Sequence, residues 1–512
     1  MYVHRITVLL AGAKQCCLLH DKLHRTEVIH VKAGDNDERV RPKLQLLAPA
    51  QMEAVHRYSV EILETIGVRV ESDTALETFC RLGAVEVRDD IVRIHEELID
   101  HAIHTAPSSV EIFNRNGDSA FHLGKQQGDE TYFGIGVTNM YFQDVEDSRI
   151  EPFTRRHMQQ GTKLGDLLGN YDMISTLGIA SDISADKLDL YGVLDMYANT
   201  SKPLVLLILE SRNIHAVLDL LSLLHGDISE RPFCMLYVNP VTPLVLNEAT
   251  TDKMVASIQA GVPVMFSNYS MYGASTPATE SGSLALLNAE LLAGLVFGQL
   301  IREGSGIILG SLPAAFNMRT SQSCYTPTSY LLNLACAEMM SFYGLPHCGT
   351  SGSGNGWDAD LSASGDLWMN HLTSCIGKIG CAPFVGGNFD SKVFSPSTVV
   401  LSDFIIGEAR EFSKGFPLND ENVDVAGIAA VGHGGHYLTS KQTLASLERW
   451  RKAGPPWPPL NLESWKQRSN PRPETFVAER TRKLYAQAVK EAARNRDIIE
   501  RGEKLIAQMK SS

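Results

Sequence analysis

Aromatic and carboxylate side chains recur in this 512-residue chain just beyond short apolar runs. Asn239 follows one run; Asn268, Tyr269 and Tyr272 follow another. Phe316, Arg319 and Tyr325 come next, then His347 and Trp357, with Glu280, Asp358, Asp360 and Asp366 as the neighbouring carboxylates. Rings grouped around a carboxylate suit a quaternary ammonium group, because aromatic faces attract a cation that has no proton to donate. We therefore expect a binding site for such a cation, built from Asn268, Tyr269, Tyr272, Glu280, Phe316, Arg319, His347, Gly356, Trp357 and Asp360.

Each of these residues also has a structural reading. Glu280 opens an apolar helix, where an acid is favoured by the helix dipole, and His347 could be a satisfied core histidine. Asn288 and Glu290, inside the same helix, are expected to face a neighbouring helix. The run GTSGSGNGWDAD (Gly349 to Asp360) places Gly352, Gly354 and Gly356 at alternate positions. That form also occurs in loops cradling nucleotides or S-adenosylmethionine. Here it comes late in the chain and leads into the polar stretch DLSASGD, so a strand-to-helix loop is the preferred reading.

Other chemistries find little support. His433 and His436 form HxxH, without an HExxH helix, a ligating carboxylate or a cysteine cluster, so no metal is expected. No GxSxG frames a nucleophile elbow. The net charge of −13 argues against nucleic acid. The nine cysteines are scattered and lack any CxxC pair, which points to a reducing cytoplasm rather than a disulfide framework. Leu284 to Ile301 is the most apolar long stretch, but Asn288, Glu290 and Gln299 make it a buried core helix rather than a membrane span.

The elements that must position these side chains read as α/β. The segments DMISTLGIA, PLVLLILE, FCMLYVNP, PVMFSNYS, GIILGS, LPHCGTS and APFVGGN are short and apolar, and helical sequence separates them. Their starts lie roughly 30–40 residues apart, one strand plus crossover helix, so a (β/α)8 TIM barrel is expected. The eighth strand is placed near Val423 to Val431. Residues 1–47 are set apart as a leader, residues 48–168 as an N-terminal α+β portion, residues 169–432 as the barrel and residues 433–512 as a C-terminal helical extension. The last helices are expected to pack on the barrel or on a sister subunit of a homo-oligomer.

The succession SNYSMYGASTPATESGSLALLNAELLAGLVFGQLIREGSGIILG, LACAEMMSFYGLPHCGTSG, APFVGGN and VGHGGHYLTSKQTLASLERW resembles the trimethylamine methyltransferase family of corrinoid-dependent enzymes, over about residues 48–490. The resemblance implies a barrel whose mouth binds a methylated amine and presents one methyl to the cobalt(I) corrinoid of a separate carrier protein. Archaeal members carry pyrrolysine in the region of Gly356 and Trp357; this chain has standard residues there and so resembles the branch acting on quaternary amines such as glycine betaine. Gln442 stands where the family pattern leads one to expect histidine. No DxHxxG cobalt-ligand motif occurs, so no cofactor is expected on this chain and the corrinoid is expected from the partner. A methylated-amine-binding protein without transfer activity, and an S-adenosylmethionine-dependent methyltransferase using the Gly352–Gly356 loop, are the alternatives.

Overall fold

The computed structural model describes residues 39–81, 85–128, 130–350, 354–452 and 454–509. The leader up to residue 38, and Gly352 of the glycine-rich loop, lie outside the described residues.

Eight parallel strands close into a barrel: β1 (Tyr132–Ile135), β2 (Met173–Ser175), β3 (Leu204–Leu207), β4 (Cys234–Val238), β5 (Val264–Tyr272), β6 (Ile307–Asn317), β7 (His347–Gly349) and β8 (Cys381–Val385). Each pairs with the next, and β8 pairs back onto β1. Runs such as LVLL and CMLYV are apolar throughout because helices cover one face and the packed interior the other. The crossovers are α1 (Arg155–Leu167), α2 (Leu188–Asn199), α3 (Ile214–His225), α4 (Glu248–Gln259), α5 (Glu280–Ile301), α6 (Pro327–Tyr343), α7 (Leu361–Ile376) and α8 (Pro396–Lys414).

Two expectations need correction. The eighth strand is not near Val423 to Val431, where Val425–Val431 is a short helix. It is Tyr132–Ile135, the first strand of the barrel in chain order. The barrel therefore spans 132–414 rather than 169–432, and its first strand lies inside the segment set apart as the N-terminal portion. Residues Phe416–Gly432 belong with Arg39 and Val40 to a separate compact unit, in which Arg39 pairs with Pro417 and Val40 with Phe416.

Side chains alternate along each strand, so one residue in two faces the interior. The lowest inward layer comprises Met173, Val205, Met235, Met265, Ile308, Cys348 and Cys381. The hairpin Ser109–Phe113/Ser119–Gly124 closes the floor beneath it with Val110, Ile112, Phe121 and Leu123, and Phe121 stacks on Tyr132 at 4.5 Å. Gly310 is required in this wall: a Cβ there would lie 2.3 Å from Cys348 Sγ and 2.5 Å from the Cys348 carbonyl oxygen.

Helix α5 is apolar on every side because it is enclosed on every side. Strand β5 lies beneath it, and the helices Pro49–Thr65, Asp73–Cys80 and Glu96–Thr105 of the N-terminal portion lie over it. It is long and apolar enough to cross a membrane, yet 89% of its apolar window is buried inside the fold. Asn288 on this helix bonds Ser59 at 2.9 Å and Tyr343 at 3.0 Å, a helix-to-helix role as expected. At the other end of the chain, Pro473–Ala492 packs on α1 and α8 of its own barrel.

Candidate active site

Strands β5 and β6 are longer than the other six and stay paired over nine residues, from Val264↔Ile307 to Tyr272↔Ala315. Beyond that, β6 turns back through residues 318–321 into the antiparallel strand Gln322–Cys324. One side of the barrel thus rises above the carboxyl ends of the other strands, where enzymes of this architecture carry their chemistry. Parity then decides what the raised wall presents. Met265, Ser267 and Tyr269 of β5 face inward; Asn268 and Tyr272 face the helices.

Tyr237 at the end of β4 meets Phe384 of β8 edge-to-face, with ring centroids 4.9 Å apart. Burial pushes the pKa of the Tyr237 hydroxyl well up, so the phenol is neutral and its ring is apolar wall. Tyr269 is also raised by burial, and the nearby charge of Asp390 raises it further. Tyr325, just after the returning strand, is raised by burial and by Tyr269, with Thr350 and Ser391 as partners. Three phenol rings and one phenyl ring therefore converge at the mouth.

The carboxylate of this cluster is Asp390, in the loop after β8. Phe389, Asp390 and Ser391 have φ of 51°, 58° and 61°, three consecutive non-glycine residues in the left-handed region. Such backbone persists only where its surroundings over-determine it. Here Phe389 N–H donates to the Gly356 carbonyl at 3.0 Å, and Asn139 Nδ2 donates to the Ser391 carbonyl at 2.7 Å. Ser323 Oγ donates to the Asp390 carboxylate. Burial raises the Asp390 pKa, opposed by the Ser323 hydrogen bond and the charge of Lys392. The loop after β8, the loop after β7 and the β6 return strand thus hold one another.

A cavity of about 530 Å³ opens beside Asp390, lined by Asn317, Ser323, Asn355, Trp357, Phe389 and Lys392 among others. Its size falls within the usual range for small-molecule sites, about 300–1,000 Å³. Among the described residues no cluster of histidine, cysteine or carboxylate groups could hold a metal ion. The arrangement offers aromatic faces, the Asp390 carboxylate and hydroxyl groups, which can bind and orient a cation.

The expected site residues separate into three groups. Tyr269, Phe316 and Trp357 are at the mouth, with Phe316 opposite Ser323 across the return strand and Trp357 71% exposed on the rim. Gly356 is beneath them, because its carbonyl anchors Phe389 and a Cβ there would sit 2.6 Å from Ala363 Cβ. Asp360 is the N-cap of α7, accepting from Ala363 N–H at 2.8 Å and Trp357 N–H at 3.0 Å, so it holds the loop. Arg319 is exposed in the turn at the tip of the β6 hairpin.

The others point elsewhere. Asn268 is fully buried between β5 and α5; it donates to the Leu287 carbonyl at 3.0 Å and to Glu290 at 2.9 Å, and accepts from Ser311 at 2.6 Å. Tyr272 bonds Thr326 at 2.7 Å, fastening the strand end to the cap of α6. Glu280 is exposed in the first turn of α5. His347 begins β7 instead of ending it, which puts it at the opposite end of the barrel from the mouth, and burial lowers its pKa.

Tyr237, Phe384 and Asp390 were not among the expected site residues. Tyr237 stands in CMLYV and Phe384 in CAPFV, runs that read as core; Asp390 follows GGNF with no local signal of its own. Its place five residues past the end of β8 was the one available clue.

The chain matches the family model described as trimethylamine methyltransferase (MTTB) over residues 22–508, a match that begins inside the segment set apart as a leader. Glycine betaine methyltransferase of Desulfitobacterium hafniense (strain Y51) is 26% identical over 451 residues, covering 85% of this chain and 93% of the relative. Trimethylamine methyltransferase MttB of Methanosarcina barkeri (strain Fusaro / DSM 804) is 26% identical over 411 residues, covering 78% and 82%. The crystal structure of the Methanosarcina barkeri monomethylamine methyltransferase (MtmB) superposes with a TM-score of 0.50 at 11% identity, over 89% of this chain and 90% of that one, a likeness of fold.

Proposed function

This chain belongs to the trimethylamine methyltransferase family, and on that premise we propose that it moves a methyl group from a quaternary or tertiary amine, of the glycine betaine or trimethylamine type, to the cobalt(I) corrinoid of a separate carrier protein. The observation that carries the reading is the convergence of Tyr237, Tyr269, Tyr325 and Phe384 with the carboxylate of Asp390 at the barrel mouth. Rings and a carboxylate without a strong base suit a cation that must be held and aligned rather than deprotonated.

A quaternary ammonium leaves as a neutral tertiary amine once one methyl is taken, so it needs no acid to activate the leaving group. The cobalt(I) corrinoid supplies the nucleophile that accepts the methyl. This chain's residues strip water from the cation, place their ring faces against its methyl groups and leave one methyl accessible to the corrinoid. As charge leaves the nitrogen, Asp390 loses an attraction, so its contribution is to binding more than to the chemical step. The buried, neutral phenols favour this division, since none is poised to donate a proton.

The mouth suits an approaching carrier better than a resident cofactor. Met318, Trp357 and Leu361 are 78%, 71% and 85% exposed around it. Exposed apolar side chains of this kind are what a docking protein covers. The described cysteines are free thiols, and we place the enzyme in the cytoplasm, the compartment that keeps them so.

The test is incubation with glycine betaine, carnitine, proline betaine and trimethylamine, each with cobalt(I) cobalamin, while the methylcobalamin absorption is followed. Methylcobalamin formation with any of these supports the proposal. Tight amine binding with no methyl transfer, even in the presence of a carrier protein, refutes it in favour of a binding protein; methylation dependent on S-adenosylmethionine refutes it in favour of that cofactor.

A further inference from the structure

The mouth cavity carries two opposite charges at two depths, and this deepens the reading above, on which it rests. Asp390 is the inner charge: it is half-buried, bonded to the buried Ser323 hydroxyl, and close enough to act on both Tyr269 and Tyr325. Lys392 is the outer one. It lines the same cavity with an exposed side chain, and its backbone N–H is fixed to the Asn388 carbonyl at 3.0 Å. Among the described residues no carboxylate lies within ion-pair distance of its ammonium; Asp390 is felt only as a more distant charge.

Between these charges the lining changes character. Phe389 and Asp390 are partly buried, whereas Lys392 is exposed. Asn317, Thr320, Gln322 and Asn355 contribute amide and hydroxyl groups. A bare cation such as tetramethylammonium would use only the inner half. A molecule with an ammonium at one end and an anion a few bonds away would use both, cation inward and anion at the rim.

We propose that Lys392 is a specificity-determining residue that selects zwitterionic methylated amines, those carrying a carboxylate, over purely cationic ones. A cation-only ligand gains nothing from an ammonium at the entrance and is repelled by it. A carboxylate-bearing ligand replaces water at Lys392 with a charge-assisted hydrogen bond in a cavity partly shielded from solvent. The placement also orients the substrate: with the carboxylate at Lys392, the trimethylammonium group sits beside Asp390.

Calorimetric binding, which needs no corrinoid, tests this with glycine betaine and tetramethylammonium on the whole chain. The wild type is expected to bind glycine betaine at least about tenfold more tightly. Lys392→Met is expected to lose about tenfold for glycine betaine while tetramethylammonium binds unchanged or more tightly, and Lys392→Arg keeps the preference. The lysine side chain is exposed, so these variants are expected to fold; urea unfolding midpoints matching the wild type check that. Equal losses for both ligands in Lys392→Met, no loss for either, or a wild type that prefers tetramethylammonium would overturn the assignment while leaving the amine site intact. A wild type that binds no methylated amine would overturn the amine-site reading as well.

Discussion

Glu290 in the middle of helix α5 accepts a hydrogen bond from Asn268 of strand β5 at 2.9 Å, and both side chains are at most 2% exposed. The same carboxylate accepts from Thr242 Oγ1 at 2.9 Å and Leu244 N–H at 2.7 Å, in the loop that follows β4. Asn268 in turn takes the Ser311 hydroxyl of β6 at 2.6 Å. Three mouth-bearing elements therefore meet at one buried carboxyl group, and the residue between Ser267 and Tyr269 is fixed by it.

Removing either partner leaves buried polar groups unsatisfied. Asn268→Ala and Glu290→Ala are each expected to cost about 3 kcal/mol of stability. The urea unfolding midpoint measures the loss; a change below about 0.5 kcal/mol in both variants contradicts the described network.

The same carboxylate makes stability depend on pH. Burial lifts the Glu290 pKa from 4.5 to about 7. Because the folded value is the higher one, its contribution is fully present below about pH 4.5 and is lost as pH rises through about 7. The stability of wild type relative to Glu290→Gln should therefore fall over that window by on the order of 3 kcal/mol, then level off. A difference independent of pH from 4 to 8 rules this out.

Asp390→Asn is expected to weaken glycine betaine and tetramethylammonium alike by about tenfold, and Tyr269→Ala or Tyr325→Ala by about five- to thirtyfold, from lost cation attraction in a shielded site. Calorimetric titration of each variant decides; undiminished affinity in all three removes the cluster from binding.

Glu280 and Trp357 separate a helix-end acid from a rim aromatic. Glu280→Ala should leave amine affinity unchanged and lower stability by about 0.3–1 kcal/mol through the helix dipole. Trp357→Ala should weaken binding by about tenfold, since it lines the cavity. The opposite pattern, with Glu280 affecting binding and Trp357 silent, would put the cation on the outer side of α5.

Gly356 stands where a side chain does not fit. Gly356→Ala would place a Cβ 2.6 Å from Ala363 Cβ and 3.2 Å from Asn388 Oδ1. A loss of about 1–3 kcal/mol is expected. Weaker amine binding should accompany it, because the Gly356 carbonyl anchors the Phe389–Ser391 loop. Wild-type melting and affinity in this variant would show that the loop relaxes freely.

The alternation of strands and helices was legible in the residues because it rests on local patterns: apolar runs a few residues long for strands buried on both faces, and longer apolar or amphipathic stretches for helices. Helix α5, and the inward Tyr269 beside its loop, followed from the same stretch. The first barrel strand was not legible. Tyr132–Ile135 is four residues with Gly134 among them, and only its neighbours β2 and β8 give it a role.

The site divides in the same way. Composition and motif order determined the barrel, the family and a preference for aromatic groups near a carboxylate. Which aromatic and which carboxylate was decided by tertiary structure. Asn268 and Tyr269 are adjacent in sequence, yet one faces α5 and the other the mouth, because strand side chains alternate and only barrel closure fixes which face is the interior. Asp390 lies 153 residues from Tyr237 in the chain. Their shared site exists because β8 returns to the side of β1, and no local pattern along the sequence carries that information.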